Sequence, residues 1–169
     1  MSAAARNTPL LVLFDGNALV HRAYHALPPL SVTRTGEPVN AVYGFASMLL
    51  KVLSELKPTH IAIAFDLPGP TFRHLKSEAY KAQRPKAPED LTAQFRRVRQ
   101  LVAAFNIPVY ELQGYEADDV LGALSRQATA QSADVVIVTG DLDALQLVGP
   151  KVRVFTSRQP PYERCHNIR

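Results

Sequence analysis

A chain of 169 residues that is 47% hydrophobic has material for one domain with a substantial core, which excludes a low-complexity or disordered protein. Its 19 Lys and Arg stand against 15 Asp and Glu, and the single Cys165 excludes an intramolecular disulfide and argues against a Cys-based metal site, which suits a reducing cytoplasm. Residues 1–9 read as a polar leader, and the apolar run at 10–14 is too short for a signal sequence or a membrane span, so a soluble, cytoplasmic protein is expected.

Leu10-Leu11-Val12-Leu13-Phe14 is a continuous apolar run, the pattern of a strand buried on both faces, and it ends in Asp15-Gly16-Asn17. A helix is expected over 18–26, stopped by Pro28-Pro29 and carrying His21, Arg22, Tyr24 and His25 either toward a site or as a solvated face. After the loop through Gly36 and Pro38, Val42, Phe45, Leu49, Val52 and Leu56 recur at three- and four-residue steps, a helix with a core-facing stripe. Ile61 to Phe65 repeats the first strand's logic, and Asp66 lies just past it.

The composition then shifts. Between Thr71 and Gln100 there are eight Lys or Arg against three acids, with Phe72 and Tyr80 among them. The part up to Pro88 has no clean apolar stripe and reads as a helical or loop insertion, a basic arch over about 67–88. Basic residues interleaved with aromatics suit a phosphate backbone with bases to stack on, and they also suit a solvated loop. From Glu89, the residues Leu91, Phe95, Val98, Val102 and Phe105 mark a long amphipathic helix with acids in its first turn. Residues 107–110 give a short strand. A helix from Glu116 to about Ala130 follows, then a strand at 135–138, and a last strand at 152–155. Residues 156–169 carry no periodic signal and read as an irregular tail.

Strands alternating with amphipathic helices predict an α/β fold, a mostly parallel sheet with helices on both faces. Such a sheet gathers the carboxyl ends of its strands along one edge, where ligands of open α/β sheets bind. Asp15, Asp66, Asp141 and Asp143 fall there, and the turn into the helix at Glu116 brings Glu116, Asp118 and Asp119 to the same edge. Those last three also suit the first turn of a helix, where acids cap free amides and oppose the macrodipole. Capping explains three acids in four residues less well, because Asp118 and Asp119 repel each other unless a cation or an Arg offsets their charge, and neutralising Asp119 is expected to relieve that repulsion. In an extended segment Asp141 and Asp143 point the same way and address one site together, and Gly140 before them allows close backbone approach.

With these seven acids set aside, eight acids remain against 19 basic residues, so a concentrated negative site would sit within a basic surface. Hard divalent cations bind through carboxylate oxygens, and the set has room for up to two Mg²⁺ or Mn²⁺ ions. No Gly-x-Gly-x-x-Gly, Walker P-loop or Gly-x-Ser-x-Gly is present, so no nucleotide cofactor and no serine hydrolysis is expected.

FDGNALVHRAYHALPPL, GEPVNAVYGF, FDLPGPTFRHLKSEAYKAQRPKAPEDL, GYEADDVLG and VTGDLDALQLV occur in this order between residues 10 and 155. They resemble the 5′-nuclease domain family of bacterial DNA polymerase I, related to the flap endonucleases. The resemblance implies a PIN-like fold over 10–155 and a structure-specific 5′→3′ DNA exonuclease and flap endonuclease that acts on DNA with a 5′ single-stranded end or flap. It matches Asp15, Asp66, Glu116, Asp118, Asp119, Asp141 and Asp143 to the family's metal-binding acids. It matches Tyr80, Lys81 and Arg84 to arch residues at the scissile phosphate and the unpaired 5′ end, with Lys81 and Arg84 as the catalytic pair. Arg22 and Arg73 match phosphate-contacting arginines.

Leu142 stands where many members of the family carry a basic residue between the two Asp. The family also continues into a Gly-Asp-x-Ser-Asp-Asn segment, with two more metal-binding Asp, and a helix–hairpin–helix element that grips duplex DNA. Neither occurs in these 169 residues, so the expectation is a truncated chain with reduced activity, with a polymerase domain in the full-length protein. Three readings stand beside the nuclease: a catalytically impaired DNA-binding fragment, a PIN-type ribonuclease, and a phosphatase with Asp15 as nucleophile. The last is weakened by Asn17, where such phosphatases want a second Asp.

Overall fold

The computed structural model describes residues 8–77, 80, 87–156 and 166–168. Its centre is β1 (Leu10–Asp15), whose unbroken apolar run is buried on both faces. The sheet has six strands in the order β3-β2-β1-β4-β5-β6. To one side of β1 lie β2 (His60–Ala64) and then β3 (Val109–Tyr110), and to the other lie β4 (Asp134–Val138) and then β5 (Val152–Thr156). These five are parallel. The sixth, β6 (His166–Ile168), runs antiparallel to β5. It falls in the stretch expected to be irregular, because three residues are too few to show a period.

Alternation along the strands divides the core between two faces. Val12 and Phe14 of β1, Ile63 of β2 and Phe65 just beyond it point to one face, with Val136 and Val138 of β4. Three helices cover them: α1 (Gly16–Ala26), α2 (Asn40–Leu56) and α4 (Glu89–Ala104). Leu13, Ala62, Ala64, Val135 and Ile137 point to the other face, under α5 (Ala117–Ala130). Two alanines on β2 leave room for that single helix to lie close. A short helix, α3 (Phe72–Lys76), stands within the basic segment, and a 3-10 turn spans Leu142–Leu147.

The sheet brackets a buried polar knot between helices. Gln94 of α4, 1% exposed, accepts from the Ala41 amide at 2.8 Å and donates to Asn40 Oδ1 at 3.0 Å. Asn40 Nδ2 donates to the Tyr24 carbonyl at 3.0 Å, and the Tyr24 hydroxyl reaches the Asp90 carboxylate at 2.9 Å. These bonds satisfy the start of α2, which has no side-chain cap, and pin α1, α2 and α4 together. The sequence stripe of α4 named Leu91, Phe95, Val98, Val102 and Phe105, and Leu91, Val98 and Val102 are fully buried. In the structure Phe95 is only partly buried and Phe105 is exposed, while Gln94 takes the central place.

Candidate metal and nucleic-acid site

The strand order reverses direction at β1, and the acids collect at that edge. Asp15 ends β1, is 3% exposed, and caps α1 by accepting from the Ala18 amide at 3.0 Å. Its other oxygen accepts from the Thr139 hydroxyl at 2.7 Å. Asp66, just past β2, accepts from the Ala117 amide at 2.6 Å, and its own amide donates to Asn17 Oδ1 at 3.1 Å. Asp66 thus ties the first turn of α5 to the end of β2, while Asn17 ties the turn after β1 to the same place. Close approach is built in by glycine. A Cβ on Gly16 would meet the Phe65 ring at 2.3 Å, and one on Gly140 would lie 3.2 Å from Arg22 Cδ and 3.3 Å from the Ala18 carbonyl. The sequence expectation for Gly140 holds.

Asp15, Asp66, Glu116, Asp118 and Asp141 line one cleft of about 870 Å³. The same cleft is lined by His21, Arg22 and His25 of α1 and by Pro88 and Leu91. Asp119 and Asp143 open instead into a neighbouring cleft of about 730 Å³, with Arg73, Tyr80, Tyr110 and Tyr115. Glu116 and Asp118 border both. The pairing expected of Asp141 and Asp143 fails for a local reason. Asp141 is itself extended, but its Oδ1 accepts from the Asp143 amide at 3.0 Å and caps a 3-10 turn that begins at Leu142, so Asp143 lies within the turn and is exposed.

The charges are offset unequally. Arg73 grips Asp119 with two parallel bonds of 2.7 and 2.8 Å and reaches Glu116 Oε2 at 3.4 Å. Tyr80 donates to the same Glu116 oxygen at 3.1 Å. Asp119 also accepts from the Glu116 amide at 3.0 Å. Arg73 thus supplies the offset that the Asp118–Asp119 pair calls for. Asp118 is crowded from elsewhere: burial and then the charges of Asp15, Asp141, Asp66 and Glu116 push it up to about 6. Burial also raises Asp15, against the lowering effect of its bonds from Thr139 and Ala18.

Arg22, Arg73 and Tyr80 thus reach the two clefts. Lys81 and Arg84 lie outside the described residues, as do the rest of 81–86 and residues 78 and 79 of the expected arch. Two contributors, Thr139 and Asn17, were not picked out from the sequence as site residues. Their signal is a neutral hydrogen-bonding side chain within two residues of an acid at a strand end.

The donors in the larger cleft are carboxylate oxygens, hard ligands of the kind that fit a divalent cation. Among the described residues no three Asp, Glu, His or Cys side chains are already gathered as a ligand set.

Residues 10–167 match the family model described as "5′-3′ exonuclease, N-terminal resolvase-like domain". The chain is 52% identical over 147 residues to DNA polymerase I of Chloroflexus aurantiacus, covering 86% of this chain and 16% of that protein. It is 45% identical over 149 residues to DNA polymerase I of Bacillus subtilis, covering 88% and 17%. It therefore spans about a sixth of the length of the curated relatives it matches. Among solved structures, the T5 D15 protein co-crystallised with metal ions superposes with a TM-score of 0.66 at 19% identity, over 87% of this chain and 55% of that one. A T5 5′-exonuclease with zinc bound gives 0.63 at 19% identity, over 93% and 57%. At that identity the likeness shows the fold alone, and it is the PIN-like α/β fold expected.

Proposed function

Because this chain belongs to the 5′-3′ exonuclease N-terminal resolvase-like domain family, we propose that it is a nuclease module hydrolysing DNA phosphodiesters at a 5′ single-stranded end or flap, with up to two Mg²⁺ or Mn²⁺ ions. The observation that carries the reading is the cleft that Asp15, Asp66, Glu116, Asp118 and Asp141 line together with Arg22. When bound, such ions activate water and offset charge on the leaving oxygen of the phosphodiester.

The chain's own residues supply the rest. Asp15, Asp66, Asp118 and Asp141 hold the ions in the larger cleft, and Asp119 and Asp143 serve from the neighbouring one. Arg22, which lines the same cleft, takes a phosphate of the bound strand. Arg73, held at the root of the arch by Asp119 and Glu116, contributes a second phosphate contact when the strand enters. Tyr80, Lys81 and Arg84 act at the scissile phosphate and the unpaired end. A nuclease of this kind needs no covalent intermediate. The names of the relatives and the sixth of their length that this chain spans support a polymerase region elsewhere in a longer parent protein.

The test is digestion of a 5′-flap DNA in Mg²⁺ or Mn²⁺, beside a single-stranded RNA and a small phosphate ester. Flap cleavage that Asp15→Asn abolishes is expected. Preferential cleavage of the RNA would favour a ribonuclease, turnover of the ester alone a phosphatase, and flap binding without cleavage an impaired DNA-binding fragment.

A further inference from the structure

Thr139 follows β4 directly and is 1% exposed, so its hydroxyl must find partners inside the protein. Its Oγ1 lies 2.7 Å from Asp15 Oδ2 and 2.9 Å from the backbone nitrogen of Asp141. A hydroxyl carries one proton and two lone pairs, and an amide N–H can only donate. Thr139 therefore accepts from Asp141 and directs its proton to Asp15. A single side chain joins the carboxylate at the end of β1 to the main chain of the acid beyond β4, across 124 residues of sequence. With Ala18 donating to the other oxygen, each Asp15 oxygen has one protein donor and keeps a lone pair for the cleft that Asp15 lines.

We propose that Thr139 is a positioning residue: its hydroxyl fixes the Asp15 carboxylate and the Asp141 main chain relative to each other and so sets the affinity of the cleft for a divalent cation. The inference rests on the reading of that cleft as a cation site. The sheet does not need the hydroxyl to hold its register. β1 and β4 are already paired from Leu10 with Asp134 to Phe14 with Val138, and the Thr139 amide is anchored separately to the Phe155 carbonyl at 3.2 Å. Both partners of the hydroxyl belong instead to acids of the cleft. Partners that orient metal ligands from behind govern affinity because they fix the ligand's direction before the ion arrives.

The experiment is calorimetric titration of the 169-residue chain with Mn²⁺ alone, comparing wild type with Thr139→Val, Thr139→Ser, Thr139→Ala and Asp15→Asn, with thermal unfolding in EDTA recorded for each. Valine keeps the branch and volume of threonine without the hydroxyl, and serine keeps the hydroxyl without the branch. Thr139→Val is expected to weaken Mn²⁺ binding by about 10–100-fold, the usual cost of losing such a partner, while Thr139→Ser stays near wild type. If Thr139→Val does not fold, the serine and alanine variants carry the comparison, and alanine must bind more weakly than serine. Asp15→Asn that loses affinity while Thr139→Val, or alanine against serine, changes nothing would overturn the role of Thr139 and leave the cation site standing. Asp15→Asn that binds Mn²⁺ like wild type would remove the cation reading and this inference with it.

Discussion

Asp118 and Asp119 are chemically identical neighbours with opposite electrostatic fates. Asp119 is held by Arg73 in a two-bond fork, the geometry in which guanidinium and carboxylate match best. Both side chains of this pair are partly solvated, so screening reduces its worth, and Asp119→Asn should cost the ion-free protein about 1 kcal/mol in urea denaturation. A gain in stability would mean that repulsion outweighs the fork. Asp118 has no such fork among the described residues and is pushed up to about 6 from 3.8. The folded state therefore binds the Asp118 proton more tightly than the unfolded state does. Stability of the ion-free protein should fall as pH rises through the window from about 4 to about 6, with the penalty fully present above it. In EDTA, Asp118→Asn should equal wild type near pH 4 and exceed it at pH 7, and Mg²⁺ should shrink that gap by offsetting the charge. From the sequence the crowding of acids was legible. Which acid bore it was not, because the answer depends on Arg73, a residue 46 positions away from Asp119.

Among the elements, those with a clean period were legible to within a residue or two. β1 follows from its apolar run and α5 from the spacing of Val120, Leu121 and Leu124. Illegible were features in which a polar residue does a core residue's work. Gln94 sits where an apolar side chain would be expected, and its amide serves the start of α2, so Gln94→Leu should destabilise by about 2–4 kcal/mol, leaving Asn40 Oδ1 and the Ala41 amide without these partners. Circular dichroism melts would check it, and a neutral result would show that water replaces the amide. Gly16 makes the complementary case. Alanine is the better helix former, yet a Cβ there would lie 2.3 Å from the Phe65 ring, and Gly16→Ala should cost about 1–3 kcal/mol through overpacking. The turn after β4 was misread for a similar reason: Asp141 bonding to the Asp143 amide is a local choice that competes with extended backbone and leaves no mark in hydropathy.

At the scale of the whole molecule, the split between a carboxylate cleft and a basic remainder predicts how the protein meets DNA. Lys81→Ala and Arg84→Ala should each lower the slope of log affinity against log salt by about one on single-stranded DNA, read by fluorescence anisotropy across a salt series. Unchanged slopes would return that segment to an ordinary solvated loop. The strand order has another consequence. β1 acquires its neighbour β2 within about fifty residues, but its other neighbour, β4, begins only at Asp134. As the chain leaves the ribosome, β1, β2 and β3 can already be roofed by α1, α2 and α4, while one edge of β1 stays open as a template for a foreign strand. The late arrival of β4 closes that edge and, in the same event, brings Thr139 to Asp15. In refolding, Mn²⁺ capture should therefore lag the protection of β1 and β2 amides in pulsed hydrogen exchange. The nascent protein would be exposed to misassembly for as long as it is unable to hold an ion, and it would leave both conditions at once.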